Sequence, residues 1–528
     1  MQVVWFKRDL RIKDHLPLSE AAARGPVVPL FVDEPGILLA EDQSTQHALF
    51  REECLHELAQ GLAALGAPLL RRQADMLTVL DELHRLGPIE TLWSHEETGN
   101  ALSYQRDLAV ADWCRTHRVA WIEYPQHGVI RRLASRNGWA RLWDQRMHGP
   151  LVATPLRVLP ALQSPSGPLL SGRSWRCFDG PCIPAGADKP GRQHGGRKAG
   201  LALLESFLAG RGQDYRRGMS SPLSATLACS RLSPYLAFGV LSIRETVHRL
   251  AQTMADLRRQ VPGGADPAQP GLLAALKSFE GRLHWHCHFI QKLESQPEIE
   301  FRNVHRGFDG LREDGFDQDL FAAWCSGETG YPMVDACQRM LAATGWINFR
   351  MRAMLVSFAA YQLWLHWRLP ALHLAREFLD YEPGIHYSQM QMQSGVTGIN
   401  TLRIYNPVKQ ARDHDPRGHF VRRWIPALAA VPDDWIFEPW RMPPGLQARA
   451  GLRIGTDYPV PVVDHEVAAR LARQRIGARR AEPAVRAEAR AVMARHGSRK
   501  GSAVRKGANG QRTASPEHRQ EGFDFGQG

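Results

Sequence analysis

No Cys-x-x-Cys pair occurs in this chain, although it holds eight cysteines. Scattered thiols exclude a zinc ribbon and a disulfide framework and point to a reducing, intracellular setting. No apolar run is long enough to span a bilayer. The longest, Met354 to Trp367, is interrupted by Gln362 and His366 and reads as a buried helix. The N-terminus enters Val3-Val4-Trp5-Phe6-Lys7-Arg8-Asp9 without a signal-peptide core. No G-x-G-x-x-G follows any candidate strand, so the dinucleotide fingerprint is missing. Internal repeats are absent as well. With 44% hydrophobic and 23% charged residues, the composition is that of a globular protein, and 528 residues allow two to four domains.

Charge is unevenly placed. The net charge is +12, yet residues 471–528 alone hold thirteen Lys/Arg against five Asp/Glu. This Gly-, Ala- and Ser-rich stretch is expected to be a mobile basic tail. It fits either a polyanionic partner such as nucleic acid or a solubilising extension. Ahead of it, Gln2–Phe6, Val27–Val32, Pro68–Leu70, Thr91–Ser94 and Val119–Glu123 read as strands. Helical stretches lie between them at Leu16–Ala23, Leu55–Leu65 and Leu102–Cys114. The alternation predicts an α/β domain with a parallel sheet over residues 1–130. Residues 131–200, rich in Pro, Gly, Ser and Arg after 149, read as a linker. From 201 to 470 helical periodicity dominates, at Leu201–Ala209, Ser242–Arg258, Leu272–Leu293, Met333–Ala342 and Trp346–Trp367, predicting a large all-α domain.

Three segments can carry chemistry. Ser230, Arg231 and Ser233 sit just before a helical run, where hydroxyls, backbone N–H groups and an arginine make an anion site or a simple N-cap. On a helix, Arg282, Trp285, His286 and Phe289 share one face, which suits stacking on a base or flavin ring; ordinary core packing is the competing use of Trp285. His284 and His288 have metal-ligand spacing but no third ligand, so no metal is expected. Arg350 and Arg352 lie in an apolar helix and need acidic or phosphate partners, for which Asp380 and Glu382 are the plausible acids.

Several long motifs resemble those of the photolyase/cryptochrome family, in order along residues 1 to about 470. They are Trp5-Phe6-Lys7-Arg8-Asp9-Leu10-Arg11 with Asp14, Ser230-Arg231-Leu232-Ser233-Pro234-Tyr235-Leu236-Ala237-Phe238-Gly239, and Thr329 to Ala336 with Ala343-Thr344-Gly345-Trp346. Arg403 to Pro407, Phe420 to Pro426 and Glu438-Pro439-Trp440 follow. The resemblance implies an N-terminal antenna domain and a helical domain holding FAD. It implies a deoxyribodipyrimidine photolyase, a carbon–carbon lyase that splits pyrimidine dimers in UV-damaged DNA by light-driven electron transfer to a flipped-out lesion. The cyclobutane type is favoured; a (6-4) enzyme and a cryptochrome-like blue-light photoreceptor are the alternatives. By the same resemblance Tyr215, Ser230, Arg231, Leu232 and Ser233 contact the FAD phosphates. Arg352 pairs with Asp380 beside the flavin ring, Glu382 lines its polar edge, and His386 stands near N5, able to donate a hydrogen bond or proton. Arg282, Trp285, His286, Phe289, Phe349 and Arg350 meet the lesion. Trp285, His386 and Arg352 form the catalytic set. A second pigment, folate or deazaflavin, is possible near Glu96, Arg106 and Asp107. A cytoplasmic monomer, on the nucleoid when bound to DNA, is expected.

The chain also departs from the family pattern. Arg282 replaces the lesion-contacting Glu, Phe349 the Asn after Trp-x-His, and Met390 and Met392 two tryptophans. Of the tryptophan triad that feeds electrons to the flavin, only the middle member, Trp367, remains; Met390 and Asp314 hold the other places. Trp364, Tyr361 and Tyr387 are candidates for another route. No Cys follows Cys337, which argues against an iron–sulfur cluster.

Overall fold

The computed structural model describes residues 1–162, 184–259 and 269–497. Part of the expected linker, the stretch 260–268 within the expected helical domain and the end of the basic tail lie outside these residues. Five strands, β1 (Gln2–Phe6), β2 (Val27–Asp33), β3 (Leu70–Gln73), β4 (Thr91–His95) and β5 (Ala120–Tyr124), form one parallel sheet in the order β3-β2-β1-β4-β5. The three central strands are buried along their whole length, as expected where helices cover both faces. Register pairs Trp5 with Leu30, Val4 with Trp93 and Trp93 with Ile122. The covering helices are α1 (Leu16–Arg24), α2 (Thr45–Ala64), α3 (Met76–Leu86) and α4 (Ala101–His117).

Strand β3 starts two residues later than expected, because its stability comes from charge. Arg71 is clamped by Asp33 and Glu52, and Arg72 by Glu82. An apolar pattern does not register such a strand.

The expected linker is more ordered than its composition implies. It carries α5 (Trp139–Met147), which buries Trp139, Trp143 and Met147. Helices α6 (Arg197–Ala209), α7 (Ser233–Ala237), α8 (Ile243–Arg259), α9 (Gln269–Ser295), α10 (Pro332–Thr344), α11 (Phe349–Ser357) and α12 (Pro383–Gln393) build the helical domain. The predicted helix Trp346–Trp367 is broken: α11 passes into a π turn at Phe358–Gln362, and Trp364 adopts a left-handed φ of 55°.

The tail expectation needs correction over its first half. Residues to His496 fold as α13 (His465–Ala481) and α14 (Pro483–His496). Alanine-rich sequence favours helix, and the apolar side chains Ala472, Ile476, Val485 and Val492 pack into the main core. Polar contacts add to the docking. Glu488 accepts from the backbone N–H groups of Arg306 and Gly307, and Arg479 and Arg480 donate to the carbonyls of Asp309 and Asn400. Part of the basic charge therefore serves docking.

Candidate functional site

The N-terminal motif joins the two domains. Arg8 donates to the carbonyls of Ala237 and Tyr381, and buried Arg11 to that of Gly239. Asp14 is held by Arg244 and Ser242. Gly239 has φ +63°, and a Cβ there would lie 2.1 Å from the Arg8 carbonyl oxygen, so glycine is required. Asp9 lies between two buried imidazoles, His15 at 2.9 Å and His95 at 2.7 Å. Among the described residues this is the group arranged for a metal. It works instead as a hydrogen-bond triad. His15 Nδ1 accepts from the Leu18 N–H, so Nε2 carries the proton given to Asp9 and offers no lone pair.

In the helical domain a cleft of about 510 Å³ opens between α11, α12 and the segment Phe378–Glu382. Arg352 grips Asp380 with two 2.9 Å hydrogen bonds and lies 4.1 Å from the Phe378 ring. Burial pushes the Asp380 carboxyl up, but the Arg352 charge and hydrogen bonds, with help from Ser233, hold it below its ordinary value. The Ser233 bond ties the 230–233 loop to this pair. Arg231 adopts φ +62°, stacks at 3.9 Å on Trp346 and donates to the Gln193 side chain. Burial lowers its pKa to about 10. Arg211 holds the same loop by donating to the carbonyls of Leu227 and Ser230. Leu232 is core, and Ser230 Oγ accepts from the Leu232 N–H.

Glu382 bridges two spaces. One oxygen is 3.0 Å from Arg8; the other is buried without a partner. Burial lifts this carboxyl to about 7. It lines both the cleft and a small polar chamber past the carboxyl ends of β1 and β4, which His95, His127 and His286 share. His386 lines the cleft, and its Nε2 donates to the Ala371 carbonyl at 2.8 Å. Burial drops its pKa to about 4, so the ring is neutral and Nδ1 is an acceptor.

The expected common face of α9 is divided among neighbours. Trp285 packs on His288 (4.6 Å) and Phe289 (5.7 Å). His286 turns toward His127 in the polar chamber. Arg282 meets the hydroxyl of Tyr215, whose pKa burial pushes up to about 12. Tyr215 otherwise packs edge-on against Phe207 and Phe279. The cause is the domain boundary: α9 runs along it, so the two edges of one stripe face different partners. Phe349 lines the cleft and is 37% exposed, at its rim; the charge of Arg350 acts on His414. His284 packs against Trp139 and Trp143, and His288 binds Arg136.

Trp367 is buried and donates to Asn303; its ring is 6.4 Å from Tyr387, which touches His386 (5.4 Å) and Tyr381 (6.4 Å) at the cleft. Trp364 lies between the guanidinium groups of Arg312 (4.5 Å) and Arg475 (4.8 Å). Tyr361 is buried 5.5 Å from Arg312. Met390 lines the cleft and Asp314 is at the surface.

A buried cation–carboxylate pair, an unpartnered carboxylate oxygen and an arginine-bearing loop around one cleft define a site for a ligand with an anionic part and a polar ring edge. FAD fits these residues. The model of the FAD binding domain of DNA photolyase matches residues 279–478, and that of DNA photolyase matches residues 2–136. The deoxyribodipyrimidine photo-lyase of Streptomyces griseus is 32% identical over 90% of this chain and 98% of its own length. Cryptochrome-2 of Arabidopsis thaliana is 27% identical over 89% and 77%. A bacterial class III photolyase from Agrobacterium tumefaciens shares the fold, with a TM-score of 0.75 and 24% identity over 91% of this chain and 98% of its own. The chain belongs to the photolyase/cryptochrome family and carries its FAD-binding domain.

Sequence reasoning missed Gln193, Arg211 and Asp42, a buried carboxylate that accepts from the Tyr381 hydroxyl at 2.8 Å. Gln193 lies in a stretch whose composition reads as linker, and Arg211 acts through backbone carbonyls and the Ser206 hydroxyl, so neither leaves a motif. The quoted motifs held Arg8 and Trp346, but nothing in their spacing assigns them to Glu382 and Arg231.

Proposed function

We propose that this protein is a cyclobutane pyrimidine dimer photolyase. The reading is carried by the cleft: the Arg352–Asp380 pair stands at one wall, His386 and Glu382 at another, and half-exposed Phe349 at the mouth. FAD held there would supply light-driven one-electron chemistry to a base placed against it. The chain's own residues do the rest. The 230–233 loop, anchored by Arg211 and Gln193, presents Arg231 to the phosphates. Arg352 and Asp380 fix the ring edge, and Glu382, near neutrality in its protonation, offers either a donor or an acceptor. Apolar Phe349 at the rim gives an extruded base a surface that excludes water. Arg282, Trp285, His286, Phe289 and Arg350 are proposed to shape the approach of the damaged strand.

We also assign the antenna site to the 860 Å³ cavity at the carboxyl ends of β1, β2 and β4, where strand order reverses and ligands of open α/β sheets bind. Its wall holds Trp5 beneath Arg106 (4.6 Å), with Arg106 paired to Glu34, Glu97 and Asp107. Glu96 lies instead at the polar chamber. A folate and a deazaflavin both suit this wall.

The test is light-dependent loss of dimers from irradiated oligo(dT) by purified protein with reduced FAD. Loss in the light alone is expected. Stable bound FAD with no repair of this lesion overturns the assignment. Repair of (6-4) products in its place, or dark binding without any repair, would mark the (6-4) enzyme or the photoreceptor.

A further inference from the structure

On α9, His288 and Lys292 are one turn apart, and Gln296 follows one turn later, just past the helix end. Other elements close over this stripe. From the segment before α5, Arg136 reaches His288, with 2.5 Å between its Nη2 and the imidazole Nδ1. At the end of α14, His496 donates from Nε2 to the Gln296 side chain at 2.6 Å, and Arg495 reaches the same oxygen. Lys292 lies between the two groups, its ammonium 5.0 Å from the Phe289 ring. Three separate parts of the chain thus converge with basic groups only.

Among the described residues, neither Arg136 nor Lys292 forms an ion pair, and no carboxylate offsets either charge. Two polar atoms here are buried without a partner, Nη1 of Arg136 and Nδ1 of His496, the latter on a side chain 2% exposed. Like charges gathered away from water are costly unless a counter-charge joins them. We propose that this cluster of basic groups binds a phosphate group. Arg136 Nη1, the Lys292 ammonium and His288 Nε2 (the proton-bearing nitrogen, since Nδ1 accepts from Arg136) supply donors from two elements, and His496 adds a third when protonated. Two fixed cations match a dianion, inorganic phosphate or a phosphate monoester, better than a carboxylate or a phosphodiester, each of which carries one negative charge. The site is separate from the FAD cleft.

Thermal unfolding of the full-length protein tests it. Inorganic phosphate should raise Tm by about 2–4 °C at saturation beyond a sodium chloride control of equal ionic strength. Lys292→Met should raise Tm in phosphate-free buffer, because an unpaired buried charge is removed, and abolish the phosphate response; Arg136→Gln should abolish it too. Equilibrium dialysis with labelled phosphate should give about one site per chain, lost in both variants. Competition by a 5′-phosphorylated dinucleotide, with none from its unphosphorylated form, would trace the group to a nucleotide end; no competition from either would assign free phosphate. A phosphate response no larger than the chloride control, or one retained in both variants, overturns the proposal.

Discussion

At the scale of single residues, Met390 at the cleft poses the sharpest question: how electrons would reach a flavin held there when a thioether and not an indole lines the wall. Ring contacts favour one path over another. An oxidised indole at Trp364 would be a cation beside Arg312, which is buried, and Arg475, which is solvent-exposed. At about 4.5 Å and an effective dielectric near 20, the buried arginine alone disfavours that cation by about 3–4 kcal/mol. Tyr361 shares the same arginine. Among the described residues, no guanidinium stacks on Trp367 or Tyr387. Tyr387 also has a proton outlet: its hydroxyl is 3.3 Å from that of Tyr381, which donates to buried Asp42 at 2.8 Å. A tyrosine that loses an electron must shed its phenolic proton, and this chain of hydroxyls ends on a carboxylate. Photoreduction of bound FAD by external thiol is therefore expected to slow at least tenfold in Tyr387→Phe and in Trp367→Phe, and to change less than twofold in Trp364→Phe. Transient absorption should show a neutral tyrosyl signal that disappears in Tyr387→Phe. Equal rates in all three variants would discard the route.

Among elements, the approach of α9 to α12 positions the cleft. Gly384, in the first turn of α12, sits so close that an added Cβ would lie 2.6 Å from the Ile290 Cα. Backbone cannot yield as a side-chain tip can. Gly384→Val should force the helices apart, cost about 1–3 kcal/mol in denaturant unfolding and lower FAD retention at least severalfold, because Glu382, Ile385 and His386 move with the helix. Unchanged FAD content at reduced stability would show that the spacing serves packing alone. Such contacts also mark the limit of what the sequence discloses. Alternating β and α periods gave the sheet, and the Arg352–Asp380 pair followed from the cost of burying a guanidinium unpaired. Other elements were hidden by composition: β3 is built from arginines in salt bridges, and α13 and α14 look like a solvated tail because their docking rests on a few alanines and branched residues. The division of Arg282, Trp285 and His286 among different neighbours depends on where the second domain lies, which helical spacing alone does not specify.

For the whole molecule, buried histidines should set the pH dependence of stability. Burial lowers His47, His286, His373 and His386 to about 4, and His95 and His496 to about 3. In the unfolded chain each titrates near 6.5, so between about pH 4 and 6.5 unfolding takes up protons at these sites and stability rises with pH. Three buried carboxyls oppose this. Glu300 and Glu382 are lifted to about 7 and Asp335 to about 6, so they hold protons in the folded state that the unfolded chain releases, and their contribution to stability falls as pH rises through 4.5 to 7. Six imidazoles outweigh three carboxyls below pH 6, each on the order of 1–3 kcal/mol. Above pH 6.5 the unfolded imidazoles lose their remaining protons while the two folded-state glutamates also titrate, so the two slopes nearly cancel and the curve should flatten toward pH 7.5. Unfolding at pH 5 should show a lower denaturant midpoint than at pH 6.5, with net proton uptake when measured in buffers of different ionisation enthalpy. Net proton release at pH 5 would mean that the carboxyls dominate and that the histidine-lined domain interface is wetter than its geometry indicates.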